Sequence, residues 1–230
     1  MRTLHKGLLL MNCLITLTLL SYILFKVAVP VSYEGQNYSY VINYGLLHST
    51  MDIRLSDSIE GSDAYRGLLQ AVSELKSGDQ VTWFLVGNGG SATGLWAIQS
   101  TVDTSPAHHV AVVIGDVYSA HAYLAISMDE LYITRNEDMF LYHRGSTYGN
   151  MESFCASSKG GTDRTQDKYQ KCVSYFAFST VLEDSWIEEF FKDILPKKDI
   201  QELLVGHDKL YSAAYIKAQF DKHHKIRAGQ

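Results

Sequence analysis

Two short stretches constrain this chain more than anything else in it. Residues 80–86 (QVTWFLV) and 109–114 (HVAVVI) are dominated by β-branched, aliphatic and aromatic side chains, with little of the apolar–polar alternation of a half-exposed strand. Strands of that kind are buried on both faces, as in a parallel sheet covered by helices. Each is followed by a glycine-containing turn and a helical pattern. Gly87-Asn88-Gly89-Gly90-Ser91 leads into residues 92–102, and Gly115-Asp116-Val117-Tyr118-Ser119 leads into residues 120–128. Upstream, Ala64, Leu68, Leu69, Val72 and Leu75 recur at helical spacing, with Ser62 or Asp63 as the N-cap and Gly78 as the stop. The pattern predicts an α/β fold with a parallel β-sheet core and flanking helices, whose functional loops lie at the carboxyl ends of the strands.

Around this centre the chain is less regular. Residues 31–50 are rich in Tyr and Ser in near alternation and read as a lead-in carrying a strand. Residues 145–170 are rich in Gly, Ser, Thr and charge and read as an excursion, an insertion at about 145–180. Residues 183–204 return to a helical pattern, with Trp186, Ile187, Phe190, Phe191, Ile194 and Leu195 on one broad face and Pro196 as a break. No internal repeat is present. With 230 residues, 46% apolar and 20% charged, the chain is long enough for one well-buried core and too apolar for disorder. Twenty basic against twenty-five acidic side chains, with no basic block, argue against a nucleic-acid partner.

Residues 7–25 (GLLLMNCLITLTLLSYILF) carry no charge and are flanked by Arg2 and Lys6 before and Lys26 after. As a helix they would span about 28 Å, close to the roughly 30 Å of a bilayer's hydrocarbon core. Residues 26–30 (KVAVP) lack the small-x-small pattern of a cleavage site, which favours an uncleaved anchor over a signal peptide removed on secretion. The basic residues at the amino end place that end in the cytoplasm and residues 31–230 in the periplasm or outside. Without residues 1–30 the chain holds 17 basic and 25 acidic side chains, so an anionic surface would repel it.

Motifs for the common mechanisms are missing. There is no G-x-S-x-G elbow, no H-E-x-x-H, no paired C-x-x-C and no G-x-x-x-x-G-K-[ST] loop, so neither a metal nor another cofactor is expected. A serine constellation remains. Ser119 stands where a buried strand gives way to a helix, so its hydroxyl can project from the sheet end while Ala120 N–H faces a bound carbonyl. Gly89 and Gly90 occupy the corresponding turn of the preceding strand, where glycine lets a substrate approach the backbone. Together these would form an oxyanion hole. His143 ends the apolar run Met139-Phe140-Leu141-Tyr142, 24 residues beyond Ser119. A neutral imidazole there can take the hydroxyl proton if a carboxylate orients it.

These residues resemble the ClpP and signal-peptide-peptidase (SppA) group of serine peptidases. Gly89-Gly90-Ser91-Ala92-Thr93-Gly94 is similar to its glycine loop, Gly115-x-x-x-Ser119-Ala120 to its nucleophile turn, and Met139-Phe140-Leu141-Tyr142-His143 to its histidine strand. His207-Asp208-Lys209-Leu210-Tyr211-Ser212-Ala213 resembles the segment carrying the acid, which points to Asp208. The resemblance implies a ClpP/crotonase-like fold, hydrolysis of peptides or unfolded segments through an acyl-enzyme, and a homo-oligomer; no ATPase partner is expected outside the cytoplasm. The sequence departs from the family pattern at Asn88, usually proline, and at His121, usually glycine. A catalytically inactive relative serving envelope binding or assembly is therefore the alternative. SppA-like members use a lysine base, which makes Lys168 or Lys171 the runner-up to His143. Acyl-CoA chemistry on the related crotonase fold is disfavoured by the export signal.

Cys155 and Cys172 flank the excursion. An exported location permits a disulfide between them, worth about 3 kcal/mol by loop entropy, with two free thiols as the alternative. The neighbouring pairs His108/His109 and His223/His224 share no helix face and are expected to be solvated.

Overall fold

The computed structural model describes residues 29–143, 184–185 and 187–227, together with residue 11 and a helical stretch at 14–21. Its centre is one mixed eight-stranded sheet flanked by helices, an α/β architecture. The first three strands are β1 (Val31–Glu34), β2 (Tyr38–Asn43) and β3 (Thr50–Leu55), followed by a 3-10 turn at Ser62–Tyr65 and helix α1 (Arg66–Ser73). Strand β4 (Gln80–Gly87) leads into α2 (Ala92–Thr104), and β5 (His108–Tyr118) into α3 (Ala120–Ile126). Strands β6 (Glu130–Ile133) and β7 (Met139–Tyr142) follow, then α4 (Lys197–Leu204), β8 (Lys209–Ser212) and α5 (Ala213–Arg227).

The sheet order is β1-β2-β3-β4-β5-β7-β8, with β6 pairing a separate stretch of β5. Strands β3, β4, β5, β6 and β7 run parallel, as the two apolar runs predict. The antiparallel strands β1 and β2 beside β3 at one edge and β8 against β7 at the other lack such continuous runs; β3 instead alternates, burying Met51, Ile53 and Leu55 and exposing Thr50, Asp52 and Arg54. Val81, Trp83 and Leu85 of β4 and Ala111, Val113 and Val117 of β5 are fully buried, and every residue of α3 is buried. That short helix is enclosed on all sides, and every one of its residues but His121 and Tyr123 is aliphatic.

Several local expectations are corrected. Gly115 does not begin a loop: β5 continues through it to Tyr118, and the β4–β5 register shifts between Leu85 and Gly87, so Gly115 lies in a bulge against Val86. Neither Ser62 nor Asp63 caps a helix through its side chain. The chain enters as a tight 3-10 turn because Tyr65 is buried there and its hydroxyl accepts Glu60 N–H at 3.0 Å. His109 is not solvated: it is 1% exposed and its Nδ1 accepts Trp83 Nε1–H at 3.1 Å. Its alternation along β5 points it into the core, which outweighs its polarity. His108 lies half-exposed against Asp129 and Glu130, and His223 faces Asp193 at 3.6 Å. Helix α1 also ends earlier than expected, at Ser73 with Glu74 as its C-cap, and Gly78, at φ 92°, lies in the separate turn before β4.

Among the described residues no helix is long and apolar enough to cross a membrane. Residues 14–21, within the uncharged run, are helical and expose Leu14, Ile15, Leu17, Leu19 and Leu20. The excursion, with Cys155, Cys172, Lys168 and Lys171, lies outside the described residues, as do residues 1–10 and 22–28.

Candidate functional site

The carboxyl ends of β4, β5 and β7 meet at Ser119. Its backbone adopts φ 53° and ψ −124°, a conformation that L-residues with a side chain rarely accept and that costs on the order of 1–3 kcal/mol. Asp57 is the other non-glycine residue at positive φ among the described residues. The strain at Ser119 is held from both sides. Its N–H donates to Leu141 O at 2.7 Å, extending the β5–β7 ladder by one bond, and its carbonyl accepts Tyr123 N–H at 3.1 Å as the first bond of α3. A serine at this position would ordinarily cap the helix, yet its hydroxyl bonds to none of the helix N–H groups. The abrupt reversal from strand to helix aims the side chain out of the turn, half-buried at the sheet end.

Gly89 lies against this turn. A Cβ on Gly89 would come within 2.4 Å of Ser119 Cβ and 3.0 Å of its Oγ, and Gly89 itself has φ 96°. Only glycine fits on both counts. The glycine turn is anchored by the loop that follows β3. Ile59 N–H donates to Gly89 O at 2.6 Å and Ser91 N–H donates to Ile59 O at 2.7 Å, which pairs Ile59 with Gly90 as a parallel bridge. Asn88 N–H donates to Asp57 O at 3.0 Å. In this bridge both polar groups of Ile59 are used, and Gly90 N–H points away from it. Nothing in the polar stretch around Ile59 marked it as a partner of the glycine turn, since an isolated bridge leaves no sequence period.

The nominated oxyanion donors separate into two kinds. Gly89 N–H is already engaged: it donates to Nδ1 of His121 at 3.1 Å. His121 is fully buried, its Cε1 against Gly87, and its Nε2 has no hydrogen-bond partner. Burial drives its pKa down to about 4, against the smaller opposing pull of Asp57, so the ring is neutral with the proton on Nε2. Gly90 is exposed at the turn, and Ala120, the other nominated donor, is buried at the first position of α3. The departure at His121 is thus a backbone acceptor inside the turn.

His143 follows β7 directly, two residues beyond the carbonyl that holds Ser119 N–H, and its own carbonyl accepts Tyr123 OH at 3.2 Å. The β7–β8 register runs Met139↔Ser212 to Tyr142↔Lys209. The ladder ends there: His143 follows the last paired residue of β7, and Asp208 precedes the first of β8. Asp208 is exposed. The residue after it is tied down: Lys209 Nζ pairs with Asp199 at 3.1 Å and with Glu202, and Tyr211 OH donates to Asp199 at 2.6 Å, fixing α4 to β8.

Among the described residues no group of three His, Cys, Asp or Glu side chains could hold a metal ion. A comparison with models of known protein families gives no match, and neither does a comparison with curated proteins.

Proposed function

We propose that this chain is a serine peptidase of the ClpP/SppA-like kind, anchored by residues 7–25 with its body on the outer side of the membrane, and that it cleaves peptides or unfolded protein segments. The conformation of Ser119 carries the reading: a strained serine between a buried strand and a helix, its hydroxyl spared from capping, is what a nucleophile on a sharp turn requires. Ser119 Oγ attacks the scissile carbonyl as His143 takes its proton, and Asp208 orients His143. The oxyanion is held by the N–H groups of Gly90 and Ala120. His143 returns the proton to the leaving amine, and water then hydrolyses the acyl-enzyme by the same relay. Family resemblance adds a homo-oligomer around the site.

One observation favours a second reading, an inactive relative serving as an envelope binding or assembly module. The Gly89 N–H nominated for the oxyanion is committed to His121, leaving fewer donors than the sequence offered. Intact-mass spectrometry of the detergent-solubilised full chain after exposure to a fluorophosphonate separates the two. The peptidase reading expects a single adduct on Ser119, absent in Ser119→Ala and slowed about a thousandfold or more in His143→Ala. A folded chain that takes up no adduct favours the binding module.

A further inference from the structure

We infer that the loop between β2 and β3 inserts into the lipid surface beside the anchor, so that the candidate site faces away from the bilayer. The inference rests on the reading of residues 7–25 as a membrane span. Four observations converge on this loop. Leu46 is 74% exposed and its neighbour Leu47 is 88% exposed, an adjacent pair of large apolar side chains with no protein cover. From Tyr38 to Met51, through β2 and the loop into β3, the chain holds no Lys, Arg, Asp or Glu. Tyr44 stands in the loop itself, and Tyr40, stacked on Tyr33 at 5.5 Å, lies a few residues up β2 from it. Tyrosine beside uncharged, exposed leucine is the composition of a membrane–water interface, where the ring sits at headgroup level and the aliphatic chain lies below it.

The fourth observation is position. Val31 pairs with Ile42 and Asn43 pairs with Thr50, so the loop closes at the end of the sheet where β1 begins. Six peptide steps lead from Phe25, the last of the apolar run, to Val31. At full extension they reach about 20 Å, which keeps this end of the sheet at the membrane. Two leucines would not hold a free protein on a bilayer against the lost translational entropy, but on a tethered body that loss is already met by the anchor. A body with a net acidic charge needs such an apolar contact, since charge cannot draw it down. The strands then lead outward: β4, eight residues long, carries the chain about 25 Å from this end to the glycine turn at Gly89.

The test places tryptophan at the loop in the full chain, reconstituted in phosphatidylcholine vesicles with brominated acyl chains. Val205→Trp, at an exposed position on the other end of the sheet, is the control. Emission is read as the difference from the parent chain, and Leu46→Trp replaces Leu47→Trp if the latter fails to fold. Insertion predicts that the Leu47→Trp emission shifts to the blue and falls at least twofold on bromination, while the Val205→Trp emission is unchanged. A chain that floats with the vesicles yet shows no quenching at position 47 overturns the loop insertion alone. The same holds if the added tryptophan is shielded from aqueous quencher without feeling the bromines, which would mean a second copy covers the loop. A chain that does not float with the vesicles overturns the anchor and the insertion with it.

Discussion

At the scale of single residues, Ser119 holds a conformation that its neighbours impose on it. Glycine accepts φ 53° and ψ −124° without penalty, so Ser119→Gly should relieve the turn and stabilise the protein by about 1 kcal/mol, partly offset by the greater freedom of the unfolded chain. Ser119→Ala keeps a Cβ and with it the strain. Urea unfolding midpoints of the two variants test this, and a Gly variant less stable than the Ala variant would show that the turn stores no strain. The glycine pair, Ser119, His143 and Asp208 were all legible as candidates from motif order. That Gly89 N–H is spent on His121 was not, because a hydrogen bond between residues 32 apart is set by how α3 packs beneath the glycine turn.

Among elements, the end of β7 is held by aromatic packing. Phe191, in the helical residues 187–191, is fully buried; its ring lies 4.8 Å from that of Tyr142, edge to face, and 5.3 Å from that of Tyr123. Tyr142 precedes His143 and Tyr123 bonds its carbonyl, so this cluster places the candidate base. Phe191→Ala should cost about 3–5 kcal/mol through the cavity it leaves and should slow fluorophosphonate labelling in the molecules that remain folded. Phe191→Leu should retain most of both. Chemical denaturation read with labelling rate checks it; unaltered labelling in the Ala variant would separate the cluster from the site. The broad apolar face over residues 183–204 announced a packed helix, but its partner was invisible, since periodicity reports that a face is buried and never against what.

For the whole molecule, two buried histidines tie stability to pH. Burial lowers both His109 and His121 to about 4, from an ordinary value near 6.5 in the unfolded chain. Below pH 6.5 the unfolded state binds protons that the folded state refuses, so stability falls as pH drops and goes on falling to about pH 4. Above pH 6.5 both states are neutral and the effect vanishes. The loss is on the order of 3 kcal/mol for each histidine across that window. Urea midpoints between pH 7.5 and 4.5 measure it. His109→Asn with His121→Asn, which keeps an acceptor for Trp83 and for Gly89, should flatten the slope; an equally steep slope in that double variant would assign the dependence to other groups.

The amino-acid pattern alone announced the α/β class, the parallel centre of the sheet and the turns at its carboxyl ends, because strands inside a covered sheet leave continuous apolar runs and a change of element leaves glycine. It also ordered the candidate residues along the chain. The strain at Ser119, the brace of Ile59 on the glycine turn, the capture of Gly89 N–H by His121 and the antiparallel pairing of β7 with β8 came from the folded arrangement alone. Those are pairings between distant segments. Their energies depend on which surfaces meet, and no local period records that choice.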